Sequence, residues 1–353
     1  MTGPTVTQDD VGLPMTGIVR HRPLLSGGGS VGLLQGGTGG GGACLLGHRG
    51  NATVGGVALP DVNTIVVGEL MTDVVANVHG TVRTGTDTAA SVQTHGGGAG
   101  ANTAAWLAAE GTGTAFIGRV GDDDLGRAAV EHLRESGVQP YVTVDRTRPT
   151  GTCVVLMFPD GTRAKLPDIG ANAGLAPADL PEEIFAPGRH LHLTGYPLLH
   201  EKSRLAALAA LDLARLRRMT TSVDPASSGP LRDVGPHMFI GWTAGCDLLF
   251  ANAEEATALA GVPDPREAAR ALTNSYRNVV VKLGPEGALW TSSDMEAVTS
   301  PALAVTLADT RGAGDAFAAG FLPAWLAGMG PDAALASGNR LAAMAVSMDT
   351  ARP

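Results

Sequence analysis

The chain has 353 residues, enough for one large α/β domain or two small ones with a sizeable buried core. Its net charge of -9 argues against the clustered basic face that nucleic-acid binding requires. Cys44, Cys153 and Cys246 are too scattered for a disulfide framework or a zinc site, no apolar run approaches the roughly 20 residues that span a bilayer, and no signal-peptide pattern opens the chain, so a reduced, cytoplasmic protein without membrane partners is expected.

In chain order, residues 1–60 are rich in Gly, Thr and Pro and bury too little apolar surface to offset their ordering entropy, which predicts a disordered leader. Gly27, Gly29 and Gly32 satisfy a GxGxxG spacing there, but no strand precedes them and no amphipathic helix follows, so a dinucleotide site is not supported. From Thr64 the character changes. TIVVGEL predicts a buried strand, and the runs VVLMF, HLHLTG, TTSVDP, DLLFAN and NVVVKLG alternate with Ala- and Leu-rich helical stretches. That alternation predicts an α/β fold over 61–353 with a mainly parallel sheet between helical layers, ligands binding beyond the carboxyl ends of the strands. Between about 141 and 166, two β-type runs flank Pro159-Asp160-Gly161 with no helix between them, which predicts a hairpin projecting as a small lid.

The segment Asp309-Thr310-Arg311-Gly312-Ala313-Gly314-Asp315 precedes the helical run AFAAGFLPAWLAG. Small residues let backbone amides approach a phosphate, and a helix N-terminus adds unpaired N–H groups and a favourable dipole. Asp315 at its rim can take the proton of an attacking hydroxyl while the amides of Gly312, Ala313 and Gly314 stabilise the charge on the transferred group. A plain reading of the same residues is a Gly-rich loop with Asp315 as helix cap. The chain contains no Walker A sequence.

The order DTxGAGD resembles the C-terminal signature of the ribokinase-like, or phosphofructokinase-B, family of sugar and nucleoside kinases, and the resemblance runs from about Ile65 to the end. It implies a ribokinase-like three-layer sandwich with a small β lid. GELMTD is similar to the family's first substrate segment, with Asp73 at the place of a carboxylate that holds sugar hydroxyls, and Gly97-Gly98-Ala99-Gly100-Ala101-Asn102 is similar to its GGxxxN signature, implying substrate contacts from Gly97, Gly98 and Asn102. By residue type alone, Asn102 suits a helix N-cap. Asn252-Ala253-Glu254-Glu255 resembles the NxxE motif, implying that Glu255 acts on magnesium through water; without that context Glu255 is a solvated helix residue.

The turn Lys282-Leu283-Gly284-Pro285-Glu286-Gly287 resembles the family's nucleotide-binding turn, with Gly284 and Gly287 lying against ATP, although Lys282 stands where Thr or Ser is commoner. Asn339 matches a position on the adenine side. The resemblance implies ATP and magnesium, a monovalent cation in part of the family, and in relatives with a β lid a homodimer formed by pairing lids.

GANAGLAP, from Gly170, is similar to a run in ribokinases and makes ribose the leading acceptor. Ala99, Met71 and Thr162 replace polar groups of ribokinases, so two alternatives stay open. A nucleoside would use Phe158, Tyr196 or Trp106 as its base platform, and a ketodeoxygluconate would use Arg163 and Lys165 for its carboxylate. A catalytically silent sugar-binding regulator is the reading of another class; an intact Asp315 speaks against it. Arg311 either assists charge stabilisation or faces solvent. Asp122, Asp123 and Asp124 precede a helix and suit its dipole better than a metal, and His190 and His192 alternate onto one strand face without a third ligand.

Overall fold

The computed structural model describes residues 62–348 and 350–353, together with the backbone of a short antiparallel ladder between β1 (Thr53–Val54) and β2 (Val57–Ala58). That ladder lies inside the stretch expected to be a disordered leader. The rest of the stretch, with its GxGxxG spacing and Cys44, lies outside the described residues.

The central sheet has nine strands. β3 (Thr64–Val67) lies beside β6 (Thr114–Gly121) and β7 (Gln139–Asp145) on one side, and beside β10 (His190–Thr194), β11 (Thr220–Asp224), β12 (Leu248–Asn252) and β13 (Asn278–Lys282) on the other, all parallel. Antiparallel β14 (Ala288–Ser292) and β15 (Met295–Ser300) complete the far edge. The inner strands are apolar on both faces because both are covered. Ile65, Val67, Leu191 and Val223 pack under α3 (Tyr196–Leu199), α4 (Glu201–Leu216), α5 (Ser228–Val234), α6 (Pro236–Thr243), α7 (Ala253–Ala260) and α8 (Pro265–Leu272). Val66, Phe250 and Val280 pack under α1 (Ala99–Ala109), α2 (Asp124–Glu135), α9 (Ala313–Leu326) and α10 (Pro331–Val346).

A second sheet of four strands, in the order β5-β4-β8-β9, forms the lid: β4 (Met71–Val78), β5 (Ala90–Gly97), β8 (Gly151–Met157) and β9 (Arg163–Asp168). The predicted extent of the lid hairpin is corrected in two ways. Tyr141 to Asp145 belong to the edge of the central sheet, paired to β6, and the β8–β9 hairpin is only half of a lid whose other half comes from the residues just after β3. The turn is as expected: Phe158 N–H donates to the Thr162 carbonyl at 2.9 Å, and Asp160 accepts from the Thr162 N–H and hydroxyl. Asp73 shares the inner face of the lid with Met71, Val75, Cys153 and Val155, which form its small core.

Several sequence features find structural uses. Asp123 caps α2 through the Gly126 N–H, and Asp122 and Asp124 pair with Arg127. Among the described residues no group of His, Cys, Asp or Glu is arranged to hold a metal directly. His190 and His192 are buried side by side on β10, share hydrogen bonds with the Ser222 hydroxyl, and are held far toward the neutral form by burial. Among the described residues no helix is long and apolar enough to cross a membrane.

Candidate active site

The carboxyl ends of β3, β10, β11, β12 and β13 converge on the start of α9, and the lid stands over the same opening. Gly312 is the residue before α9, with φ 72°, a left-handed conformation suited to glycine; an added Cβ would sit 2.5 Å from the Ala351 carbonyl oxygen. Asp315 is therefore in the first turn of the helix and is not its cap. Its Oδ2 accepts a hydrogen bond from Asn102 Nδ2 at 2.9 Å. Asp315 is partly buried, and loss of solvation pushes its carboxyl up to about 7, against the lowering effect of the Asn102 donor; the charges of Asp224 and Glu69 push the same way, and Lys282 opposes them.

Asn102 is the fourth residue of α1 and is buried, so the N-cap reading fails here as well. Its Oδ1 accepts from Arg352 Nε at 2.8 Å, and Arg352 also donates from Nη2 to the Gly97 carbonyl. The paired glycines make room for the Asp73 carboxylate and for the backbone at Glu69. A Cβ on Gly97 would lie 2.1 Å from Asp73 Oδ1, and one on Gly98 would lie 2.4 Å from the Glu69 carbonyl oxygen. Asp73 is raised by burial, with Lys165, Arg311, Arg352 and His95 acting in the other direction. Glu69 is almost fully buried and accepts from the Ala99 N–H at 2.6 Å and the Thr194 hydroxyl at 2.9 Å.

Arg311 is buried, which removes the solvent-facing alternative. Its Nε bonds Asp309 and its Nη1 lies 3.7 Å from Asp73 Oδ2, so it links the signature loop to the lid. A second link runs from Arg163 Nη1 on β9 to the Thr310 hydroxyl at 2.7 Å.

On the other side of Asp315, Lys282 ends β13 and donates from Nζ to Asp224 Oδ2 at 2.6 Å. A Cβ added at Gly314 would be 3.2 Å from that ammonium, so Lys282 stands beside the amides at the start of α9. Desolvation works against the charge of Lys282, but Asp224, Glu255 and Asp315 outweigh it and raise its pKa overall. Glu255 is buried and not solvated. It closes a capping box with Asn252, in which Asn252 Oδ1 accepts from the Glu255 N–H and Glu255 Oε2 accepts from the Asn252 N–H, and burial raises its carboxyl to about 7.

The remaining predicted contacts are more structural than expected. The Asn252 side-chain oxygen is engaged in its cap. Asn339 Nδ2 donates to the carbonyls of Ser300 and Pro301 and fixes the segment after β15. Gly287 owes its glycine to that segment, since a Cβ would meet the Ser300 carbonyl oxygen at 2.1 Å, whereas Gly284 faces open space. Asn172 of the GANA run bonds both the N–H and the carbonyl of Leu70, tying the turn after β9 to the base of the lid. Trp106 lies in the core with its Nε1 donating to the Ala351 carbonyl, which removes it as a base platform. Sequence reasoning missed Glu69, Asp224 and Arg352 as members of this cluster. The first two follow or end buried strands, which was an available signal, and the third had none.

The profile of the pfkB family of carbohydrate kinases matches residues 63–352. This chain belongs to that family. Its enzymatic activity is that of a carbohydrate kinase. Among its relatives, the ATP-dependent ribose-1-phosphate kinase of Halopiger xanaduensis is 34% identical over 258 residues, covering 73% of this chain and 82% of that protein. The 2-dehydro-3-deoxygluconokinase of Thermoproteus tenax is 33% identical over 229 residues, covering 62% and 70%. In fold, the chain is similar to a probable sugar kinase from Rhizobium etli, with a TM-score of 0.76, 22% identity and coverage of 84% of this chain and 96% of that one. The ribokinase-like α/β architecture expected from the signatures is thus the architecture of this pfkB kinase.

Proposed function

We propose that this pfkB kinase transfers the γ-phosphoryl group of ATP to a sugar hydroxyl, with Asp315 as general base and the amides of Gly312, Ala313 and Gly314 as the anion hole. The observation that carries the reading is a half-buried carboxylate in the first turn of a glycine-opened helix, facing a cleft closed by a lid. Asp315 Oδ2 is engaged by Asn102, so Oδ1 is the atom that takes the acceptor proton. Lys282 and the α9 dipole draw charge from the transferred group, and Asp73 with the Gly97–Gly98 backbone orients the sugar. Buried carboxylates at Asp224 and Glu255 beside this point suit a hydrated hard cation held through water; when bound, magnesium supplies charge neutralisation on the phosphates. Ribose is the neutral acceptor favoured by the GANA run.

With a base whose carboxyl lies at about 7, kcat is expected to fall by about tenfold per pH unit below that value and to level off above it, because only the ionised form accepts a proton. A pH profile of kcat under saturating ATP and acceptor checks this; a flat profile from pH 5.5 to 8 would contradict it.

A second reading rests on the cations around Asp73. Lys165, Arg311, Arg352 and His95 all act on that carboxylate, and Arg163 lies on the same lid strand as Lys165. Such surroundings favour an acceptor bearing a phosphate or carboxylate, as the names of the two relatives above indicate for those proteins. An ATP-consumption screen over ribose, other pentoses, fructose, ribose-1-phosphate, ketodeoxygluconate and nucleosides separates the readings. If the acceptor is anionic, Lys165→Met is expected to raise its KM by about tenfold with kcat little changed, the signature of lost uniform binding. An unchanged KM for an anionic acceptor would remove Lys165 from its binding, and turnover of neutral sugars alone in the screen would return the assignment to ribose.

A further inference from the structure

We infer that Arg352 is a positioning residue for the catalytic base, locking the side-chain amide of Asn102 in the one orientation that donates to Asp315. The inference rests on the reading of Asp315 as base and extends it to a residue 250 positions along the chain from Asn102. An asparagine amide presents a donor at one end and an acceptor at the other, and the two orientations are sterically almost equivalent. A guanidinium has only donors. With Arg352 Nε against Asn102 Oδ1 at 2.8 Å, a flipped amide would set N–H against N–H, so Nδ2 has to point at Asp315 Oδ2. The unflipped arrangement places one donor on Oδ2 and leaves Oδ1 to the acceptor hydroxyl.

The guanidinium is itself held. Its Nη2 donates to the Gly97 carbonyl, and Gly96 lacks a side chain where a Cβ would meet Nη1 at 2.7 Å. The segment carrying it is fixed at Ala351, whose carbonyl accepts from Trp106 of α1 at 3.1 Å and packs against Gly312. One short segment therefore touches the GGxxxN signature, the helix bearing Asn102 and the GAG loop. Burial lowers the Arg352 pKa to about 10, and the charges of Asp73 and Asp315 oppose that shift. The other charged or titratable groups facing Asp315 are Glu69 after β3, Asp224 of β11, Lys282 of β13 and Tyr196 of α3, with Glu255 of α7 facing the Asp224–Lys282 pair. None of these is altered by changing Arg352.

The test uses Arg352→Lys, which keeps the charge but loses the rigid fork, and Arg352→Met, which loses both. Both are expected to lower kcat by at least about tenfold with the KM for ATP little changed, and to move the acid limb of kcat to higher pH, since Asp315 loses an ordered donor. On an Asn102→Ala background, Arg352→Met is expected to cost almost nothing further, because the two residues act as one unit. The readout independent of turnover is the side-chain amide resonance of Asn102 in asparagine-labelled protein. It should titrate with Asp315 in the parent and shift its midpoint upward in Arg352→Lys. A parent that titrates this way yet turns over no acceptor would refute the kinase reading while leaving the lock intact. A folded Arg352→Lys with parental kcat, acid limb and Asn102 titration would overturn the proposal, as would additive losses in the double variant. If Arg352→Met fails to fold, the Lys variant decides.

Discussion

Asp315→Asn is expected to lower kcat by at least about 100-fold, the usual consequence of losing a general base, while ATP and acceptor still bind. Asn has nearly the same volume, and its carbonyl can accept the Asn102 amide that now bonds Asp315 Oδ2, so the cleft should keep its shape. The same substitution is expected to stabilise the fold at neutral and higher pH. The Asp315 carboxyl is raised from 3.8 to about 7 by burial, so the folded protein carries no penalty below pH 3.8, a growing one between those values, and the full one above about 7. The melting-temperature difference between parent and Asn variant should therefore be larger at pH 8 than at pH 5. A gain in stability with a loss of turnover is the pattern of a strained functional group, whereas near-normal kcat would remove Asp315 from the base role.

Lys282→Met is expected to have the second-largest effect. The ammonium pairs with Asp224 at 2.6 Å in a site where Glu255 and Asp315 add further negative charge, so removing it leaves three carboxylates, two of them buried, without their cation. Breaking such a pair costs about 3 kcal/mol or more of stability. Loss of a positive group next to the Gly314 amide should also lower kcat by about 100-fold, comparable to removing one anion-hole donor. Since Lys282 lowers the Asp315 pKa, the acid limb should also move to higher pH. Paired replacement of Lys282 by Met and Asp224 by Leu tests the purely structural alternative: stability should recover in part, and turnover, which needs both residues on this reading, should not. If kcat returned with stability, Lys282 would be a structural residue only. Thermal melts and steady-state kinetics on the same samples measure both.

How much of this was legible in the sequence depended on distance along the chain. The run from Asp309 to Asp315 reads as a glycine-opened helix start because glycine conformation and helix dipole are local properties, and the parallel sheet follows from apolar runs alternating with helical stretches. The plain cap readings of Asn102 and Asp315 fail: each type suits a cap, yet Gly98 and Gly312 take those places, so both residues fall inside their helices and bond each other. The lid was half legible. Its β8–β9 hairpin closes through a local turn, but the parallel pairing of β4 with β8 joins Asp73 to Cys153 across the intervening chain, and no local pattern encodes that. Arg352 was invisible for the same reason. A lone Arg in a polar segment usually lies on the surface, and only the packing of Ala351 between Trp106 and Gly312 turns it inward.

The measurement that bears most directly on the central claim is phosphorus NMR of a reaction containing the parent protein, ATP, magnesium and each acceptor in turn. A sugar kinase working through Asp315 predicts one new phosphomonoester resonance growing in step with ADP for at least one acceptor, with no inorganic phosphate. ADP accompanied only by inorganic phosphate, or bound ATP and sugar with no ADP at all, would contradict phosphotransfer by this site.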